Sequence, residues 1–201
     1  MTRRQWLILG SLALVIVTLF GALVYVLLTA PSGTSAPLIP LQKTFAVPVA
    51  AVTARSAFGL AQQEALKWRE DVCLTSASAS WPNATVDMFR EPVPWVFQFY
   101  SPSAGQVNVV FVEGGAARSL RQSYAPYTLS SIPVETWGED SPQALADWLN
   151  AGGGRFLRSH TLVTVHMALR RDEKSDRAVW FITGLDSNGK DAFSHAVKAG
   201  P

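Results

Sequence analysis

The sequence predicts an α+β protein: an N-terminal transmembrane helix followed by a duplicated helix–strand–strand–strand ectodomain whose helices pack on antiparallel sheet. Three observations predict it. Residues 6–30, WLILGSLALVIVTLFGALVYVLLTA, contain no charged side chain. Beyond them, segments with helical spacing of apolar residues are followed by segments in which apolar residues recur at every second position. That order, one helix and then three strands, is written twice, over 56–120 and 141–201, with a linker at 121–140.

The anchor comes first. At about 1.5 Å per helical residue, the uncharged run covers a hydrocarbon core of about 30 Å with length left for tilt. Arg3, Arg4 and the amino terminus precede it, and no charge follows until Lys43. The positive-inside bias therefore leaves residues 1–5 as a cytoplasmic stub and puts the C-terminal domain outside the plasma membrane, with the lipid bilayer as the first partner through 6–30. A cleaved signal peptide has an apolar region of about 7–15 residues and ends in a small-residue cleavage site. Here the run is longer, and both small-residue stretches, Leu28-Thr29-Ala30 and Thr34-Ser35-Ala36, are followed by proline. Thr2-Arg3-Arg4-Gln5-Trp6-Leu7 has the outline of a twin-arginine signal, yet the two arginines serve equally as a topological anchor.

Residues 31–55 read as a stalk, since Pro31, Pro37, Pro40 and Pro48 remove backbone donors and favour extended chain. Within it Phe45, Val47 and Val49 alternate and could add an edge strand. The first unit opens with a helix over 56–70, where Phe58, Ala61, Ala65 and Trp68 fall at helical spacing. A strand over 72–79 follows, then a loop through Trp81-Pro82-Asn83 to Pro92. A hairpin of 95–100 and 106–113 ends at Gly114-Gly115. The second unit opens at Ser141 as N-cap with Pro142 at the first helical position. Gly152-Gly153-Gly154 predicts a break, with a short turn at 155–158. Strands at 162–169, 178–185 and 191–197 complete it, the last two joined by Asp186-Ser187-Asn188-Gly189, residues suited to a tight hairpin.

Composition narrows the function. All 15 acidic residues lie beyond the anchor, and setting Arg3 and Arg4 aside leaves 15 of the 17 basic ones there, so the exported part is neutral. A nucleic-acid partner is therefore not expected, because that binding needs a concentrated basic face. A single cysteine, Cys73, permits no internal disulfide and reads as a small buried hydrophobe, with an intermolecular disulfide as the alternative. The fold must hold by packing alone, for which six Trp and nine Phe outside the anchor suffice.

A helix on a small antiparallel sheet, duplicated behind an anchor, resembles the PepSY-like and cystatin-like domains of bacterial surface proteins. The residues carrying the resemblance are Ala65-Leu66-Lys67-Trp68, Trp95-Val96-Phe97-Gln98-Phe99-Tyr100-Ser101-Pro102 and Val107-Asn108-Val109-Val110-Phe111-Val112-Glu113-Gly114-Gly115. The resemblance implies protein binding, or restraint of an exported protease, rather than catalysis, and it carries over no site residues.

No catalytic, cofactor or metal site is legible. His160, His166 and His195 lack the short ligand spacing of a zinc site, although His166 and His195 fall in strands that could be neighbours. No nucleophile motif surrounds Cys73 or any serine. Glu139-Asp140 and Asp172-Glu173 sit in turn-like contexts. Five aromatics in loops, Trp81, Phe89, Tyr124, Tyr127 and Trp137, are the candidates for a partner-binding patch, since Trp and Tyr dominate interface hot spots; capping of the core is the other use for them. The expected function is an anchored protein-binding module that regulates or inhibits an exported protease or serves an envelope complex. The alternatives are a subunit of a secretion or transfer machine with an NTF2-like ectodomain, and a metal-binding or enzymatic domain built on His166 and His195.

Overall fold

The computed structural model describes residues 53–200. The anchor at 6–30, almost all of the stalk, and Phe45, Val47 and Val49 lie outside the described residues. Among the described residues no helix is long and apolar enough to cross a membrane.

Helix α1 spans Ala54–Trp68 and starts inside the last residues assigned to the stalk. Thr53 explains the earlier start: its side chain accepts the Ser56 backbone N–H at 3.2 Å and caps the helix. The buried stripe of α1 is Ala54, Ala57, Ala61 and Ala65, all small, which lets the helix sit close to the sheet. Strands β1 (Cys73–Trp81), β2 (Trp95–Ser101), β3 (Gln106–Glu113) and β4 (Ala116–Tyr124) follow. Helix α2 (Ser141–Trp148) runs through a π-helical turn (Leu149–Gly153) into α3 (Gly154–Ser159), and then come β5 (Thr164–Asp172), β6 (Arg177–Leu185) and β7 (Ala192–Lys198). The seven strands form one antiparallel sheet in the order β4-β3-β2-β1-β5-β6-β7. Helix α1 packs over β2, β3 and β4, and α2 packs over β6 and β7.

Three local expectations change. Gly114-Gly115 does not end the first unit; with positive φ at both residues it turns the chain into β4, part of which had been assigned to the linker. β4 escapes a periodicity search because it is an edge strand with nearly every side chain exposed, so no alternation is imposed on it. Around 152–154 the expected break is present as a kink at Gly152, φ 146°, but residues 155–158 are helical where a turn was expected. A Cβ on Gly153 would lie 2.4 Å from the Trp148 ring, so this glycine is required by close packing. The N-cap of α2 is Asp140 rather than Ser141. The freed Ser141 hydroxyl accepts the Ala54 N–H at 3.0 Å, while Asp140 accepts the Arg55 N–H at 3.1 Å, so one short segment caps both helices.

The core lies on the helix side of the sheet. At its middle β1 contributes only the small Ala77 and Ala79 there, with Leu74 and Trp81 toward its two ends. β2 and β6 stand three strand spacings apart, about 14 Å, and the room above the alanines lets Trp95 and Trp180 meet with ring centroids 6.1 Å apart. Trp137 packs edge-on against Trp180 at 5.9 Å and against Phe58 at 5.7 Å. The indoles of Trp137 and Trp180 both donate to the Glu139 carbonyl, at 2.9 and 3.0 Å, which fixes the entry to α2.

Candidate functional site

The other face of the sheet carries no helix. Its residues follow from the registers. One row across all seven strands reads Arg118, Phe111, Val96, Ser78, Ala168, Phe181, Ala196. A neighbouring row holds Arg121, Val109, Gln98 and Ser76 on one half and Arg170, Val179 and Lys198 on the other. The central strand is hydroxyl-rich because Ser76-Ala77-Ser78-Ala79-Ser80 points its serines outward and its alanines into the core. Five bases, Arg118, Arg121, Arg170, Arg177 and Lys198, face outward, and the strand acids on this side, Glu113 and Asp172, lie at strand ends. Phe111 and Phe181 supply apolar area, with the Arg118 guanidinium 5.1 Å from the Phe111 ring centroid.

One end of this face is crossed by the segment after β4. Ala125 donates its N–H to the Gly105 carbonyl at 2.9 Å, and Ile132 donates to the Leu74 carbonyl at 2.7 Å. That carbonyl is free because the β1–β5 pairing runs only from Ala77–Leu169 to Trp81–Val165. Arg171 holds the same segment by donating to the Ser131 carbonyl at 3.2 Å and pairs with Asp176. Beneath it Tyr100, Val107 and Ala125 form a small apolar cluster, against which Cys73, Val109 and Leu129 pack. The Cys73 thiol donates to the Tyr100 carbonyl at 3.3 Å. Burial pushes its pKa up, as does the charge of Asp71, so it stays a thiol.

Beside the segment lies a cleft of about 580 Å³, within the range of ligand-sized sites. Thr75, Ser76, Gln98 and Tyr127 line it, together with the charged side chains of Arg170, Arg171, Glu173 and Asp176. Among the described residues no ion pair engages Arg170.

The five loop aromatics do not share a surface. Trp81, Phe89 and Trp137 are buried in the core, with Trp81 edge-on to Phe89 at 5.3 Å, and cannot form an exposed patch. Tyr124, at the end of β4, is 74% exposed, and Tyr127 is 67% exposed at the cleft. The registers also separate the two strand histidines. His166 pairs with Thr183 on the open face, whereas His195 pairs with the buried Ile182 on the helix face. They share no site. His160 Nδ1 donates to the Phe156 carbonyl at 3.0 Å, and its Nε2 lies 3.2 Å from the Asp191 carboxylate. Its pKa is raised, first by the Phe156 carbonyl and then by Asp191. No group of three His, Cys, Asp or Glu among the described residues is placed to hold a metal. One member of each acidic pair is structural: Asp140 is a helix cap and Asp172 accepts from Ser175 in the β5–β6 turn. Sequence reasoning passed over Thr75 and Ser76; the serine–alanine alternation was the one signal that could have marked the open face.

No protein-family model matches the chain, and neither a curated protein nor a solved structure is significantly similar to it. The class therefore rests on the fold: an α+β layer with helices on one face of an antiparallel sheet and the opposite face open.

Proposed function

We propose that the chain is a protein-binding module, carried outside the plasma membrane by a single-pass anchor at 6–30, which restrains an exported enzyme such as a protease or serves an envelope complex. The observation that carries this reading is the open sheet face. A face of seven strands presenting aromatics, hydroxyls and an unpaired arginine offers contact area to a macromolecule, with Arg and exposed aromatics of the kind that anchor interfaces. Tyr127 and Arg170, at the cleft, are the proposed anchor points.

The proposal includes the duplication. Its support is the order of elements: α1 with β1–β3 on one half, and α2–α3 with β5–β7 on the other, joined through antiparallel β1 and β5 as a two-fold axis would join them. β4 is then an addition to the first half. The likeness to PepSY-like and cystatin-like domains belongs to the same proposal, and superposition of 56–115 on 141–200 tests it.

The functional test is affinity capture of the tagged full-length chain from solubilised membranes, in parallel with a Tyr127→Ala, Arg170→Glu double variant. A reproducible protein recovered with the wild type and lost with the variant is the expected result. Recovery of the same proteins with both, or of none, contradicts the reading.

A further inference from the structure

The sheet has two free edges, and they are built differently. β4 carries Arg118 and Arg121, and its pairing with β3 is interrupted by a bulge at Leu120, between Val109–Arg121 and Val110–Ser119. Charge and a bulge are the ordinary means of keeping an edge from pairing. β7 has neither. Its seven residues Ala192-Phe193-Ser194-His195-Ala196-Val197-Lys198 pair with β6 in unbroken register, contain no proline, and carry one formal charge, at the C-terminal end. Among the described residues nothing pairs with the outer edge of β7.

We infer that β7 is a self-association edge, which pairs antiparallel with β7 of a second copy across a two-fold axis to continue the sheet. Charge selects this occupant and this direction. Lys198 ends the strand at one side and Asp191 precedes it at the other, both exposed. Antiparallel pairing sets the Lys198 of each copy beside the Asp191 of the other, whereas parallel pairing sets like against like, which is unfavourable. The register follows. A two-fold perpendicular to the sheet keeps both helix layers on the same side and requires each pair to share a face. With His195 opposite its own copy, all seven residues are paired, Phe193 lies against Val197 on the helix face, and Lys198 lies against Ala192 next to Asp191. Sliding by two residues one way sets Lys198 against Lys190; sliding the other way leaves five residues paired. The interface is isologous and therefore closes as a dimer instead of growing into fibres. It leaves the open face and its cleft free, so this inference stands independently of the partner reading.

The test uses the full-length chain in its membrane. A His195→Cys variant, oxidised in situ, is expected to give a disulfide-linked dimer as the major species, while Leu120→Cys on β4 and the wild type, with half-buried Cys73 only, give little. In the His195→Cys background Lys198→Glu lowers the yield several-fold, and adding Asp191→Lys restores it. Because a variant could misfold, two differently tagged copies without introduced cysteines are also co-purified. Wild type is expected to pair and Lys198→Glu to pair weakly. Equal cross-linking at 120 and 195, no dimer at 195, or co-purification unaffected by Lys198→Glu each overturns the inference.

Discussion

Two adjacent rows of the same sheet, one position apart along most strands, are governed by different physics. The helix-side row reads Ser119, Val110, Phe97, Ala77, Leu169, Trp180, Val197. The open row beside it reads Arg118, Phe111, Val96, Ser78, Ala168, Phe181, Ala196. In the first, the side chains from Val110 to Val197 are buried and chosen by volume: alanine on β1 is what makes room for Trp95 and Trp180. In the second, no helix packs above the side chains, so volume is less constrained and arginine, serine and phenylalanine stand side by side. Most of the stabilising core belongs to the helix face, and the proposed recognition is assigned to the other.

The contrast is broken most severely by emptying the helix face. Trp180→Ala removes a fully buried indole, its contacts with Trp95 and Trp137, and its hydrogen bond to Glu139. Chemical denaturation is expected to show a loss of about 3–5 kcal/mol. Overfilling the same face acts next. Gly153→Ala forces a methyl group into the Trp148 ring and should cost about 1–3 kcal/mol by the same measurement.

A smaller effect appears only in acid. Asp71 accepts from the Ser101 hydroxyl at 2.7 Å and from the Ser103 N–H at 2.8 Å, and these bonds lower its pKa from 3.8 to about 2. A depressed carboxylate stabilises the fold above its ordinary pKa, and the contribution disappears as pH falls through the folded value. The denaturation midpoint should therefore contain a component that is constant above about pH 5 and declines from about pH 4 to pH 2. Asp71→Asn should lower the midpoint near neutrality and remove that component from the profile. The smallest effect on stability is expected on the open face: Arg170→Glu should change it by no more than about 0.5 kcal/mol, while reducing partner capture.

What was legible in the sequence divides along the same line. Trp95, Phe97 and Phe99 against Gln98, and Leu145, Trp148 and Leu149 before the glycines, announce elements that have a core to face, and the helix-side structure follows from them. β4 was missed because an exposed edge strand has no face to distinguish. Trp81, Phe89 and Trp137 were placed among candidate contacts because their neighbours are Pro, Ser and Asn, yet Trp81 ends β1 on its core face and the segments holding Phe89 and Trp137 fold over the core. The cleft could not be read because it joins Thr75 and Gln98 to Tyr127 and Arg170, residues brought together by the β1–β5 pairing and by the chain that crosses its end. The duplication rests on element order more than on matched residues, so it stays a proposal to be tested by superposition.

The central claim is that the open face is the recognition surface, and site-specific photo-cross-linking tests it most directly. A photoreactive amino acid is placed in the full-length chain at Ser78, at the centre of the open face, at Tyr127, beside the cleft, or at Gln63, exposed on α1. Irradiation of intact membranes is expected to give the same discrete adduct to a different protein from positions 78 and 127, and none from position 63. Adducts from position 63 alone, or equally from all three positions, would contradict the assignment of recognition to the open face.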